Sequence, residues 1–348
     1  MTKLNVLVTG ASGYLGSVLV TELDRRGHRV IGIDNGLVAR PSAPLVNGEH
    51  LDADLRDVSE WASVLDGVDA VIHLAAIVGD PACGLDENLT WETNYLGTVR
   101  LAEACRRHGV SKFVFASTCS NYGMSVEDAV EAGTPLHPHS VYAESKVHSE
   151  HHLLANADGE FSPRILRLST LYGVSSRMRF DLAVNVMTAH AVRDRRITVF
   201  GGEQWRPFLH IADAADALIR AAELDRVDGM RIWNCGSEEQ TYPIAELARM
   251  IAGVVPGTEV HVETDSADLR NYRVNFSRMR TTLAFTPRRD LVDAVRSIAD
   301  RLLAGQWADP AAAEYVNVEL VRTALRDAHP AAGTTGGHRW PQLSFDAA

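Results

Sequence analysis

Tyr142 and Lys146 are the pair whose types and spacing most directly suggest chemistry. They stand four apart in Ser-Val-Tyr-Ala-Glu-Ser-Lys, residues 140–146, so a helix there places both on one face, one turn apart. A free phenol holds its proton to about pH 10. An ammonium beside it favours the phenolate and brings that value nearer to neutrality. Tyr142 is thus a candidate proton acceptor for a hydroxyl being oxidised.

Oxidation also needs a hydride acceptor, and the start of the chain offers a place for one. Gly10, Gly13 and Gly16 fall in Thr-Gly-Ala-Ser-Gly-Tyr-Leu-Gly, between an apolar run and a helical pattern. Glycines at this spacing allow a tight strand-to-helix turn and a close backbone approach to a pyrophosphate, while the helix N-terminus supplies N–H donors. Asp34 lies 24 residues past Gly10, at the end of the next apolar run. An acid there meets adenosine ribose hydroxyls and repels a 2′-phosphate, so NAD is expected rather than NADP. Asp54-Leu55 is placed where an adenine edge could be read, and Ala75-Ala76 are small enough for a cofactor to lie close.

These residues need elements to position them. Strands are expected at 4–8, 29–33, 49–55, 70–74, 112–116 and 164–168. Helices follow most of them, including one long helix over 88–108 and the helix holding Tyr142. Alternating strands and helices imply an α/β fold, a doubly wound parallel sheet with right-handed crossovers. Gly10, Asp34, Asp54, Ala75, Thr118 and Thr170 all fall at or just past strand ends, where such sheets bind ligands. Past Thr170 the pattern loosens. Helices are expected over 181–193, after His210, and over 243–252, 277–285 and 291–303, with short strands at 197–200, 231–234 and 260–263. Residues 201–208 read as a turn. The boundaries are 1–170 for the cofactor domain and 171–305 for a smaller C-terminal substrate lobe with segments returning to the sheet. Residues 306–348 form an extension, helical within 308–326 and then mobile.

The 348 residues are 46% apolar, enough for a full core. A net charge of −11 without a Lys/Arg block argues against nucleic acid as partner. The chain enters an apolar strand after three residues, without the pattern of a signal peptide. No apolar run approaches the ~20 residues of a membrane span. Cys83, Cys105, Cys119 and Cys235 form no C-x-x-C, so a reduced, disulfide-free, cytoplasmic protein is expected. The histidines lack metal-ligand spacing, and no metal is expected; His148 and His152 share a helix face, where an interface or solvent is the simpler reading.

Thr9–Gly16, His73-Leu-Ala-Ala76, Asn94, Ser117-Thr118 and Tyr142-x-x-x-Lys146 together resemble the extended short-chain dehydrogenase/reductases, more narrowly the NAD-dependent epimerase/dehydratase family acting on sugar nucleotides. The resemblance spans roughly residues 3–305 and implies a Rossmann-type fold. It implies that Gly10, Ser12, Gly13, Tyr14, Leu15, Gly16, Asp34, Asn35, Asp54, Leu55, Leu74, Ala75, Ala76, Asn94 and Ser117, with Tyr142 and Lys146, hold NAD. Tyr142 would be the base. Lys146 would grip the nicotinamide ribose and depress the tyrosine, and Thr118 would bond the reacting oxygen. Thr170, Asn185, Arg206 and Arg270 would join Thr118 in binding a nucleotide-sugar substrate. A homodimer through helices 88–108 and 141–156 is implied as well.

Departures from the family pattern narrow the chemistry. The dehydratases follow this Thr with Asp-Glu, and decarboxylating relatives place Glu second; this chain has Cys119-Ser120. Relatives with a catalytic Cys carry it two residues on, so Cys119 does not inherit that role. Thr170 replaces a common Asn, which points to an unusual substrate. The expected activity is therefore epimerisation at a sugar carbon, most simply C4, by transient oxidation and re-reduction on the other face. The alternatives are a dehydrogenase or ketoreductase with net redox, and a non-catalytic NAD-binding sensor.

Overall fold

Val6 and Val8 point to one face of the first strand and Leu7 to the other, and all three are fully buried. Such a strand must be covered on both sides. In the computed structural model, which describes residues 3–38, 44–124, 128–131, 133–263 and 271–328, helices supply that cover. The first half runs β1 (Asn5–Thr9), α1 (Tyr14–Arg25), β2 (Arg29–Asp34), β3 (Gly48–Asp52), α2 (Val58–Trp61), β4 (Ala70–His73), α3 (Asp80–Cys83), α4 (Glu87–Trp91), α5 (Gly97–Arg107), β5 (Lys112–Thr118), α6 (Val141–Ala155) and β6 (Ser162–Leu168). The second half runs β7 (Thr170–Tyr172), α7 (Ala183–Asp194), β8 (Arg196–Phe200), β9 (Trp205–His210), α8 (Ile211–Glu223), β10 (Ile232–Cys235), β11 (Thr241–Pro243), α9 (Ile244–Val254), β12 (Glu259–Glu263), α10 (Ser277–Thr282), α11 (Leu291–Leu303) and α12 (Asn317–Ala328).

The central sheet has the order β10-β6-β5-β4-β1-β2-β3, with every pair parallel. The chain builds outward from β1 in one direction and then from β4 in the other, so a crevice opens past the strand ends between them. Leu19 and Leu23 of α1 and Leu218 of α8 pack with Val6, Val8 and Ile72 on one face. Leu101 and Cys105 of α5 and Leu153 of α6 pack with Leu7, Val71 and Phe113 on the other. Burying one such Leu or Phe side chain stabilises by about 1.5–3 kcal/mol. The second half builds a three-stranded sheet, β11-β9-β7, and a parallel pair, β12-β8. α7, α9 and α11 share a separate core around Val184, Leu247, Ile251 and Val295. α8 and β10 return to the main sheet.

Several expected boundaries move, each for a local reason. The helix over 88–108 is interrupted by a π-helical turn at Glu92–Leu96. Asn94 sits there fully buried, its amide bonded outside the helix to the backbone of Ile77. The third strand stops at Asp52 because Asp54 instead caps a 3₁₀ turn, accepting from the Arg56 amide. The helix expected over 277–285 ends at Thr282, and Ala284 takes φ +51°. The turn expected over 201–208 gives way at Trp205 to a strand, Trp205–His210, which is the middle strand of the small sheet despite Pro207. A proline in a central strand is unusual, and a Gly-Gly lead-in reads as a loop. The expected tail lies outside the described residues from 329 onward.

Candidate active site

The glycine turn closes tightly over β1. Gly10 takes φ +71°, and a Cβ there would stand 2.8 Å from the Ala75 nitrogen. A Cβ on Gly16 would lie 2.0 Å from the Gly10 oxygen, so no side chain fits between turn and helix. Gly13 caps α1 without a side-chain hydrogen bond. The first-turn N–H groups of α1 are thus left to meet an anion, in a cavity lined by Gly13, Tyr14, Leu15 and Gly16. Asp34 is oriented by the Ser12 amide at 2.9 Å and the Gly36 amide at 2.9 Å. Asn35 donates to Asp54 at 2.9 Å. Burial pushes the Asp54 carboxyl up, but bonds from Arg56 and Asn35 outweigh it and hold the group at about 2. A cradle without side chains at a helix start, followed by a fixed carboxylate at the next strand end, fits a dinucleotide.

At the other end of the cavity, Ser140 caps α6. Its hydroxyl accepts from the Ala143 amide at 3.3 Å and donates to Asp80 at 2.7 Å. Tyr142 and Lys146 then line the cavity from one face of the helix, with Thr118 from the end of β5. Lys146 is 2% exposed. Its Nζ donates to the Ala116 carbonyl at 3.0 Å and lies 4.6 Å over the Phe115 ring and 6.0 Å from the Tyr142 ring centre. Burial lowers this ammonium to about 8. Tyr142 moves the opposite way to the sequence expectation. Burial pushes its phenol well above the usual value, and Cys83 and Asp80 add to the rise. The charge of Arg179 and a hydrogen bond with Thr118 pull it back, while Lys146 is held away by Ala116.

A buried polar layer supports these groups. His73 bridges Thr9 Oγ1 at 2.7 Å and Thr98 Oγ1 at 2.9 Å. Burial and then the Lys146 charge hold His73 far below its ordinary value, so it is neutral. Glu150 of α6, fully buried, takes Arg167 of β6 in a forked pair at 2.6–3.1 Å and also accepts from Ser117 and Asn121. Arg167 further donates to the Tyr122 hydroxyl at 2.9 Å. Helix α6 is thereby fastened to the strands that carry Ser117 and Thr118.

The structure gathers Gly10, Gly13, Tyr14, Leu15, Gly16, Asp34, Asn35, Asp54, Leu55, Leu74, Ala75, Ala76, Ser117, Thr118, Tyr142, Lys146 and Thr170 around one cavity. Ser12 and Asn94 stand one layer behind, orienting Asp34 and Ile77. Asn185 does not line the cavity. Its amide bonds the Gly173 nitrogen, the Tyr14 hydroxyl and the Arg179 carbonyl, so it braces the wall. Arg206 does not line it either. Its guanidinium carbon lies 5.2 Å over the ring of Tyr272, and Tyr272 is the residue facing the cavity. Arg270 lies outside the described residues. Cys119 faces inward, donating to the Arg167 carbonyl at 3.1 Å, and burial pushes its thiol up to about 12. His148 packs edge-on to Trp91 and Tyr95.

Arg177, Arg179, Asn317 and Val321 line the cavity without having been singled out in the sequence. The arginines fall in an irregular stretch, and Asn317 opens a helix 140 residues away from the arginine it binds. Two arginines just past a strand end were the available signal; for Asn317 and Val321 there was none.

Comparison with known proteins agrees with this geometry. The profile of the NAD dependent epimerase/dehydratase family matches residues 6–236. The UDP-glucose 4-epimerase of Mycolicibacterium smegmatis is 30% identical over 310 residues, covering 84% of this chain and 96% of that one. YtcB of Bacillus subtilis, described as an uncharacterized UDP-glucose epimerase, is 36% identical over 229 residues, 62% of this chain and 71% of its own. Among solved structures, MoeE5 in complex with UDP-glucose and NAD superposes with a TM-score of 0.76 at 29% identity, covering 87% of this chain and all but 1% of that one, the matched share being 99%. The glycine turn, the Tyr142–Lys146 helix and the seven-stranded sheet therefore belong to a member of the NAD-dependent epimerase/dehydratase family, an extended short-chain dehydrogenase/reductase enzyme that uses NAD.

Proposed function

We propose that the protein is a nucleotide-sugar 4-epimerase working with tightly held NAD. The observation that carries this reading is the meeting of Thr118, Tyr142 and Lys146 at one cavity end, with no acid or base on the two residues after Thr118. Cys119 is turned into the core, and Ser120 shares a 2.8 Å hydrogen bond with Thr118. Elimination of water needs a separate acid and base at the neighbouring carbon. Here there are residues for moving one hydroxyl proton, and neither Cys119 nor Ser120 serves that second transfer.

Tyr142 takes the proton of the sugar hydroxyl and later gives it back. Thr118 bonds the same oxygen and the phenol, so the proton has a short path. Lys146, its Nζ 6.0 Å from the Tyr142 ring centre, contributes positive charge to that end of the cavity, while Arg179 and the Thr118 hydrogen bond are what lower the phenol itself. NAD, which the glycine turn at Gly10–Gly16 and the Asp34 carboxylate would hold, would supply the hydride acceptor and donor. Between the two transfers the keto-sugar must present its other face, which calls for a roomy sugar end. The named activities of the epimerase relatives support this assignment.

Two further inferences belong with it. Two copies pair through the α4–α5 run and α6, where Trp91, Tyr95 and His148 form a cluster of half-buried rings in edge contact. Four free, buried cysteines fit a reducing, cytoplasmic setting.

The test is incubation of purified protein with UDP- and dTDP-sugars without added NAD, with products read by proton NMR. Conversion to the C4 epimer at catalytic ratio is the expected result. Oxidation that stops at one equivalent and resumes only on adding NAD would instead establish a net oxidoreductase.

A further inference from the structure

The segment between β7 and α7 brings two arginines to the cavity. Arg179 is close enough for its charge to act on the Tyr142 phenol. It is matched by Asp181, with bonds of 2.8 and 3.0 Å to the two carboxylate oxygens. Arg177 is different. It is 7% exposed, and it has no carboxylate partner among the described residues. Its Nη2 donates to Asn317 Oδ1 at 2.6 Å and its Nη1 to the Met178 carbonyl at 3.3 Å. Its Nε is buried without a hydrogen bond. A buried guanidinium whose side-chain hydrogen bonds go only to neutral acceptors, with Asp181 near but already paired to Arg179, is costly until an anion arrives.

Asn317 determines where that guanidinium sits. It is the first residue of α12, and its own amide nitrogen is bound by Asp181 at 3.0 Å. Its Nδ2 donates to the Val78 carbonyl at 3.2 Å, in the loop leading into α3. α3 begins at Asp80, which bonds the Ser140 cap two residues before Tyr142. Arg177 is thus tied to the reacting end. The dinucleotide's phosphates have their own place at the α1 N-terminus. The hydroxyls of Ser120 and Thr170 line the same cavity. A guanidinium in a cavity that also carries hydroxyl donors suits a planar carboxylate, which accepts several hydrogen bonds.

We propose that Arg177, set by Asn317 of the C-terminal helix, binds a carboxylate carried by the sugar, so that the preferred substrate is a nucleoside diphosphate uronic acid. This rests on the nucleotide-sugar reading above. A neutral hydroxymethyl group at that position leaves the buried charge unpaired, so the site selects by penalising the wrong ligand.

The test compares uronate and neutral members of a UDP pair and a dTDP pair, glucuronate against glucose, on the full-length NAD-loaded protein. Binding is read by calorimetry, independently of turnover. Wild type should favour the uronate by about tenfold or more in at least one series. Arg177→Met should bring the two members near parity while neutral-sugar affinity stays within about twofold and NAD content is unchanged. Asn317→Ala, which keeps the charge but frees it, should give a smaller loss of preference in the same direction and stands in if the first variant does not fold. Equal weakening of both members would place Arg177 on the shared diphosphate and overturn the proposal. So would a wild-type preference for the neutral sugar, or failure of both uronates to bind. Epimerisation of neutral sugars alone would sink this proposal and leave the 4-epimerase reading standing, whereas uronate binding without C4 epimerisation would do the reverse.

Discussion

Tyr142 and Lys146 are each displaced from their ordinary acidity, and both displacements come from burial. Lys146, at about 8, loses its proton within reach of laboratory pH. The activity it supports should therefore decline above about pH 8, and Lys146→Arg should move that decline upward even at a reduced rate. A profile unchanged by the substitution would remove the ammonium from the chemistry. Stability should move the other way. A lysine whose folded value lies below its unfolded value destabilises the fold below about 8, and that penalty is relieved as pH rises toward the unfolded value of 10.5. Lys146→Met should thus raise stability at pH 7 by about 1–2 kcal/mol while abolishing turnover, checked by urea melts beside an activity assay. Tyr142→Phe should lower kcat by about a thousandfold or more with NAD content unchanged. The types and spacing of this pair were legible in the sequence. The acidity of Tyr142 was not, because it depends on Cys83, Asp80, Arg179 and Thr118, which chain order keeps apart.

Helix α6 delivers both residues, and its hold on the sheet is electrostatic as well as apolar. Glu150 lies one turn past Lys146 and locks into Arg167 deep in the protein. Removing one partner strands a buried charge. Glu150→Ala should destabilise by about 3–5 kcal/mol, measurable as a lower urea midpoint with an unchanged slope. Replacing both partners with Met and Leu should recover most of that loss, and failure to recover it would show that the pair does more than neutralise itself. The strands and helices of the first half follow from apolar runs and glycine turns, so their order was readable residue by residue. The π-helical turn was not, because Asn94 looks like any polar helix residue until Ile77 is placed beside it. Nor was the strand around Pro207, which exists because β7 and β11 flank it.

Across the whole molecule, residues distant in sequence complete one cavity, and the last described helix is among its walls. Ile77 and Cys83 pack with Val321, so α12 covers apolar surface as well as placing Asn317. Truncation before Asn317 should lower the melting temperature by several degrees and weaken sugar binding more than NAD binding, since the glycine turn lies elsewhere. Equal loss of both ligands would show that α12 acts only on global stability. The parallel sheet and its cofactor edge could be read from sequence, because strand ends carry recognisable punctuation. The sugar end could not, because it is assembled by loops and by a C-terminal helix whose pattern is only amphipathic. The Asn94 contact has one more consequence, in time rather than in space. Ile77 lies past the end of β4, yet both its backbone groups are bound by a buried side chain that also reaches Ser145 on α6. Its amide should therefore exchange with deuterium as slowly as those of the central strands, unlike the loop around it. That single proton would serve as a clock for the undocking of α6.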